Sequence, residues 1–213
     1  MFDRSASLLI KPWVNQLAKT ISRLGVSANQ LTLTGFLIGL FAAILIANNA
    51  YIMGALAILA SRLLDALDGA VARQTQPTDA GGFLDIALDF VFYASIPLAF
   101  ALSDPARNAL PAAVLLAAFI GTGSSFLAFA ALAAKRGMSN LNYPNKSLYF
   151  LGGLTEATET LAAFVAMCLW PQRFSAIAYG FAVLCTITTV LRIRWGWTSL
   201  ASAPSAISPQ DPP

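Results

Sequence analysis

Runs of about twenty residues without a charge recur along this chain, and they decide what it can become. Residues 29–48 hold no Asp, Glu, Lys or Arg at all, and several later stretches come close to this. A run of that length and character spans a bilayer as an α-helix, where every backbone polar group is satisfied internally. Composition agrees: of 213 residues, 57% are hydrophobic and only 11% charged, against about 25% charged in soluble domains. The expected class is an all-α integral membrane protein. The chain has no His, which removes Ser-His-Asp chemistry and His-ligated metals. Cys168 and Cys185 both lie in apolar runs and read as small core residues.

Six spans are expected after an amphipathic start. Residues 4–23 repeat Leu8, Leu9, Trp13, Leu17 and Ile21 at helical spacing, with Lys11, Lys19 and Arg23 off that face and Pro12 starting or kinking the helix. This is the pattern of a helix lying on the bilayer, with Trp13 at headgroup level. Ser27 and Gln30 form a capping-box pair ahead of the first span. The spans cover about 29–48, 51–73, 82–102, 107–134, 147–169 and 174–195. Gly35 and Gly39 in the first permit close helix contact, and Gly121 and Gly123 in the fourth do the same. The tail from Ser199, rich in Pro and Ser, is expected to be disordered. The organisation is therefore a juxtamembrane helix over 1–26, a six-helix domain over 27–197 and a tail over 198–213.

Even span number puts both termini on one side. Arg4, Lys11, Lys19, Arg23, Arg73, Lys135, Arg136, Lys146, Arg192 and Arg194 fall on that side, and Arg107 and Arg173 on the other. Excess positive charge marks the cytoplasmic face. The termini and the loop after the second span are thus expected in the cytoplasm of a bacterial-type inner or plasma membrane.

That loop is flanked by the least expected residues of the chain. Asp65, Asp68, Asp85 and Asp89 are four of its ten acidic residues. Carboxylates are costly at membrane depth. Asp65 and Asp68 share a face of the second span's last turns, and Asp85 and Asp89 share a face of the third span's first turns. A short loop joins these spans as an antiparallel pair, so the two acidic faces can meet. Four gathered carboxylates repel unless cations neutralise them. Oxygen-only ligands suit Mg²⁺, Mn²⁺ or Ca²⁺, and four Asp suffice for two ions. Around them Gly69, Ala70, Ala72, Ala80, Gly81 and Gly82 leave room for a bulky ligand. Arg73 and the N-terminus of the third span, near Thr78, suit phosphate. Together these describe a metal-diphosphate site fit for phosphoryl transfer. Asp89, one turn further from the loop, is the natural general base toward an attacking hydroxyl.

The same residues carry a resemblance. The chain reads Asp65-x2-Asp68-Gly69-x2-Ala72-Arg73, then seven residues, then Gly81-x3-Asp85-x3-Asp89. It resembles the CDP-alcohol phosphotransferases (phosphatidyltransferases), in which the intervening loop is one residue longer. Asn29-x2-Thr32 at the first span also looks like this family, although Ala28 stands where a Pro is usual. The resemblance implies that Asp65, Asp68, Asp85 and Asp89 hold Mg²⁺ or Mn²⁺, in two ions, and that Asp89 serves as base. It implies that Asn29, Thr32, Gly69, Ala72, Arg73, Thr78 and Gly81 contact the CDP moiety. It further implies a CDP-diacylglycerol or other CDP-alcohol donor drawn from membrane lipid, a small alcohol acceptor, release of CMP, a role in phospholipid synthesis and a homodimer. No nucleic-acid partner is implied.

The acceptor is left open by these motifs. Arg62 in the second span, Lys146, and Glu156 with Glu159 in the fifth are the candidate acceptor-pocket residues. The two Glu are placed two to three turns inside their helix, where intramembrane carboxylates suggest function. They suit a polyol or an amine, or else pair with Arg62. A divalent-cation transporter using the same carboxylates is the competing function. It would spread its acids along a path with broken helices, whereas these cluster at one interface beside Arg73.

Overall fold

The computed structural model describes residues 3–136 and 155–202. All regular structure among them is helical: α1 (Asp3–Arg23), α2 (Ala28–Ala47), α3 (Tyr51–Gln74), α4 (Asp79–Ser103), α5 (Pro105–Lys135), α6 (Ala157–Leu169) and α7 (Phe174–Ser202), with a 3₁₀ turn at Pro171–Arg173. The protein is an all-α integral membrane protein. Among the described residues, four stretches are long and apolar enough to cross a membrane: α2, α4, α5 and Pro171–Ala201. The remaining expected spans differ in kind. α3 is long enough, at roughly 36 Å for its residues, but carries Arg62, Asp65, Asp68 and Arg73. The described part of α6 has 13 residues, and the expected start of that span falls outside the described residues. So do Lys146, the polar loop after α5 and the tail beyond Ser202. α7 itself runs past the boundary expected at 198.

Local chemistry sets the helix ends. α1 closes at Gly25, whose φ of 80° is the left-handed conformation that glycine adopts without strain. Ser27 caps α2, and the capping box forms: Gln30 N–H donates to Ser27 Oγ at 3.3 Å, and Ser27 N–H donates to Gln30 Oε1 at 2.9 Å. Pro12 neither starts nor ends α1, which continues through it. The face of α1 turned to the protein is Val14, Ala18 and Ile21, packed with Leu31, Leu67, Ala70 and Val71. Trp13 and Leu17, expected on one apolar face with Ile21, point outward and are exposed, as suits a helix with lipid or headgroups on its other side.

α2 is the spine. α3 and α4 each pack along it, α4 also packs on α5, α5 packs on α7, and α1 packs on α3. α3 and α4 are therefore not the close antiparallel pair that their short connection suggests. Gly35 and Gly39 make the approach possible. A Cβ on Gly35 would meet Leu64 Cβ at 3.2 Å, and one on Gly39 would meet Phe92 Cδ2 at 2.5 Å. Gly121 and Gly123 likewise lie against Thr189 and Phe90. The main core joins α2 to α7, with Ile46, Ile58, Phe92, Phe100, Phe164 and Phe174 buried. It fixes the rotation of α4, and so the direction in which Asp85 and Asp89 point.

Candidate active site

Three carboxylates meet in the space between α3 and α4. Asp65, Asp68 and Asp85 each offer an oxygen within 4.8 Å of the others. Asp68 is buried, and its Oδ2 accepts a 2.6 Å hydrogen bond from Thr32 Oγ1 on α2. That hydroxyl, expected at the CDP moiety, is thus spent on orienting a carboxylate. The donor set is all oxygen and all anionic, which fits a hard divalent cation. Neither thiol approaches it, since Cys168 and Cys185 are buried and free elsewhere.

Asp89 is not gathered with the other three. Arg62 draws it off: Arg62 Nη1 donates to Asp89 Oδ1 at 2.6 Å and lies 3.4 Å from Asp65 Oδ1. The contact with Asp65 follows from their i, i+3 spacing on α3. The contact with Asp89 depends on how α2 sets α3 against α4. Arg62 is further held by Ser61 Oγ at 3.3 Å and by the Phe92 face, 4.0 Å from the guanidinium carbon. Its charge is thus engaged by Asp89 and Asp65.

Asp89 occupies a junction. A void of about 10 Å³ is lined by Thr32, Gly35, Arg62, Asp65, Asp85 and Asp89. A cavity of about 720 Å³ opens on the other side of Asp89, between α4, α5, α6 and α7. Its walls combine Phe90, Phe119, Ile120 and Phe126 with Thr122, Thr155, Glu156, Thr160 and Arg192. Arg192 Nη1 donates to Thr122 O at 3.2 Å.

The residues expected around a nucleotide converge at the start of α4. Thr78 caps that helix by accepting from Gly81 N–H at 3.1 Å. A Cβ on Gly81 would sit 3.0 Å from Asn29 Oδ1 and 3.1 Å from Thr78 Oγ1, so the three residues are neighbours. On α3 the Arg73 guanidinium lies over Gly69, where a Cβ would meet Nη1 at 3.2 Å. Ala72 is half-buried beside them. Two helix ends thus present a guanidinium and free N–H groups on either side of the acidic cluster.

Glu156 and Glu159 stand differently from expectation. Glu156 is the N-cap of α6, in extended conformation, rather than a residue turns inside a helix. Its N–H donates to Glu159 Oε2 at 3.2 Å. Carboxylates are stabilised at a helix start by the unpaired N–H groups there. The Glu-x-x-Glu spacing is that of a capping box, a signal legible in the sequence but outweighed by the apolar run around it. Glu156 also lines the large cavity. Arg192, Thr122 and Thr160 line it too.

Comparison with known proteins now bears on this arrangement. The family model for CDP-alcohol phosphatidyltransferase matches residues 26–192. The chain belongs to that family. As a CDP-alcohol phosphatidyltransferase it is an enzyme of phospholipid synthesis that transfers a phosphatidyl-type group from a CDP-alcohol, and the transporter reading falls away. It is 50% identical over 202 residues to the inner membrane protein YnjF of Escherichia coli K12, covering 95% of this chain and 98% of that protein. It is 38% identical over 99 residues to the archaetidylinositol phosphate synthase of Pyrococcus horikoshii, covering 46% of this phosphatidyltransferase and 53% of the archaeal protein. The fold is similar to that of a crystal structure of Mycobacterium tuberculosis phosphatidylinositol phosphate synthase with CDP-DAG bound. The TM-score is 0.65 at 22% identity, over 93% of this chain and 98% of that one. The same mycobacterial enzyme in complex with manganese and citrate aligns with a TM-score of 0.61 at 20% identity, over 93% of each chain.

Proposed function

We propose that this phosphatidyltransferase moves a phosphatidyl group from CDP-diacylglycerol to the hydroxyl of a small phosphorylated polyol, of the inositol phosphate class, releasing CMP. The observation that carries the reading is the position of Asp89. It borders the void shared with Asp65 and Asp85 and also the large cavity. A base at that junction reaches both a diphosphate held at the acidic cluster and an alcohol seated in the cavity. Asp65, Asp68 and Asp85 would hold Mg²⁺ or Mn²⁺, with Asp89 completing a second place. Bound there, a divalent cation supplies neutralisation of the diphosphate charge.

The chain's own residues divide the rest of the work. Asn29, Thr32, Gly69, Ala72, Arg73, Thr78 and Gly81 form the donor side: Arg73 and the α4 N-terminus bind phosphate oxygens, and Gly69 and Gly81 keep the approach open. Thr32 does so indirectly, by holding Asp68. Asp89 takes the proton of the acceptor hydroxyl as its oxygen bonds to the β-phosphorus. The P–O bond to CMP breaks, and CMP leaves with that electron pair. Arg192, with Glu156 across the same cavity, would bind the acceptor's phosphate and hydroxyl groups. The choice of acceptor is supported by that arginine and by the inositol-phosphate relatives named above. A manganese complex of the mycobacterial relative supports divalent-metal use. The active side faces the cytoplasm by the charge bias, and the enzyme works as a homodimer, as the family resemblance implies.

The deciding measurement is a screen of acceptors with CDP-diacylglycerol, read by product mass and CMP release with and without Mg²⁺ or Mn²⁺. The expected result is metal-dependent product with inositol phosphate and none from Asp89→Asn. Product only with an unphosphorylated acceptor such as serine would overturn the acceptor assignment. Full activity in Asp89→Asn would overturn the assignment of the base.

A further inference from the structure

Arg62 occupies an unusual place. Its side chain is only 12% exposed, and it reaches Asp89 and Asp65 with one and the same nitrogen, Nη1. Nη2 donates to Ser61 Oγ, which in turn donates to Gly35 O at 2.7 Å. Nε is buried without a hydrogen-bond partner. One face of the guanidinium covers Phe92, which is 1% exposed and cannot give way. Arginine cannot shed its charge. A fixed positive charge therefore stands at the wall of the void that Asp65, Asp85 and Asp89 also line. That void has room for about one water-sized sphere. The acidic cluster divides accordingly into three carboxylates whose oxygens converge, Asp65 among them 3.4 Å from Arg62, and a fourth paired with that guanidinium at 2.6 Å.

We infer that Arg62 makes the two cation places of the site unequal. Asp65, Asp68 and Asp85 load one divalent ion first, and the guanidinium beside Asp89 weakens the place where a second ion would bind. Asp65 links the two, because it belongs to the three-carboxylate cluster and also lies within 3.4 Å of Arg62. A second dication at Asp89 enters only by breaking the 2.6 Å contact and by repelling a charge that packing keeps in place. Arg62 is by this account a positioning residue. It sets the order of loading and holds Asp89 clear of the first ion. The inference rests on the metal-dependent reading proposed above.

The test is a Mn²⁺ titration of the purified full-length protein in detergent, with free ion counted by its paramagnetic resonance signal. The wild type should bind one ion tightly and a second about tenfold more weakly or worse, in keeping with repulsion from a fixed neighbouring charge. Arg62→Gln should bring the two affinities within about threefold, and Arg62→Lys, which keeps the charge, should preserve the gap. Asp89→Asn should keep the tight ion and lose the weak one. Two equally tight ions in the wild type would overturn the inference while leaving metal dependence intact, and so would a gap unchanged in Arg62→Gln. No Mn²⁺ binding at all would sink both. Should Arg62→Gln fail to fold, the wild-type and Arg62→Lys isotherms still decide.

Discussion

Thr32→Val isolates the hydrogen bond that aims Asp68. The substitution keeps the shape of the side chain and removes only the hydroxyl. In the native protein that hydroxyl lies 2.6 Å from Asp68 Oδ2 and 3.1 Å from Ala28 O. It carries a single hydrogen, and the charged acceptor at the shorter distance takes it. Both residues are buried, at 8% and 5% exposure, so water does not replace the lost donor. A hydrogen bond to a charged group is worth about 1.5–3 kcal/mol. Part of that is lost whether or not metal is bound, so the lower end applies to affinity, and about 1.4 kcal/mol is tenfold. Loss of a partner that orients a ligand costs about 10–100-fold in metal affinity. The expectation is thus a Mn²⁺ affinity roughly tenfold weaker, with Thr32→Ser restoring it to within about threefold. The assay is the same Mn²⁺ titration, run beside the KM for CDP-diacylglycerol at saturating metal. An affinity within about twofold of wild type, together with a raised donor KM, would refute this account. It would return Thr32 to direct contact with the nucleotide.

Two further substitutions probe the frame. In Gly39→Ala the new Cβ would lie 2.5 Å from Phe92 Cδ2 and 3.0 Å from Ser61 Oγ. An overpacking cost of about 1–3 kcal/mol follows, and activity falls further because Phe92 backs Arg62; Gly180→Ala on α7, with nothing within 4 Å, is the matched control in thermal unfolding and activity. Thr78→Ala removes the cap of α4, which should cost about 0.5–2 kcal/mol. It should raise the KM for the CDP donor while the tight Mn²⁺ affinity stays put, and a change in that affinity instead would place Thr78 with the metal ligands.

What the sequence made legible followed from short-range rules. Apolar runs marked α2 to α5 to within a few residues, the Ser27–Gln30 pair marked the start of α2, and the Asp65–Asp68 and Asp85–Asp89 spacings marked the acidic faces. Asp65, Asp68 and Asp85 meet as expected. What was not legible is a partner set by the mutual placement of three helices. Arg62 sits three positions from Asp65, and that contact was readable. Its stronger contact with Asp89 depends on the rotation of α4, which Phe92 and the core around Phe164 determine. Glu156 and Glu159 were misplaced for a different reason. A carboxylate inside an apolar run suggests intramembrane function, whereas here the helix begins at that carboxylate.

The separation of α3 from α4 explains why the motif works as a site and not merely as a charged hairpin. Two adjacent helices joined by a short loop ordinarily pack on each other, and their backbones would then leave no gap for the carboxylates to share. Here α2 takes up the packing faces of both helices. It can do so because Gly35 and Gly39 let Leu64 on one side and Phe92 on the other approach its backbone. The acidic side chains are left to meet in the narrow gap between the two helices, where Asp65, Asp85 and Asp89 line a void of about 10 Å³. The distance between the carboxylates is therefore set by an apolar helix that contributes no carboxylate of its own. On this reasoning, enlarging residue 39, whose new side chain meets Phe92 and Ser61, widens the acidic cluster without touching any acid, and metal affinity should fall in step with the size of the side chain introduced.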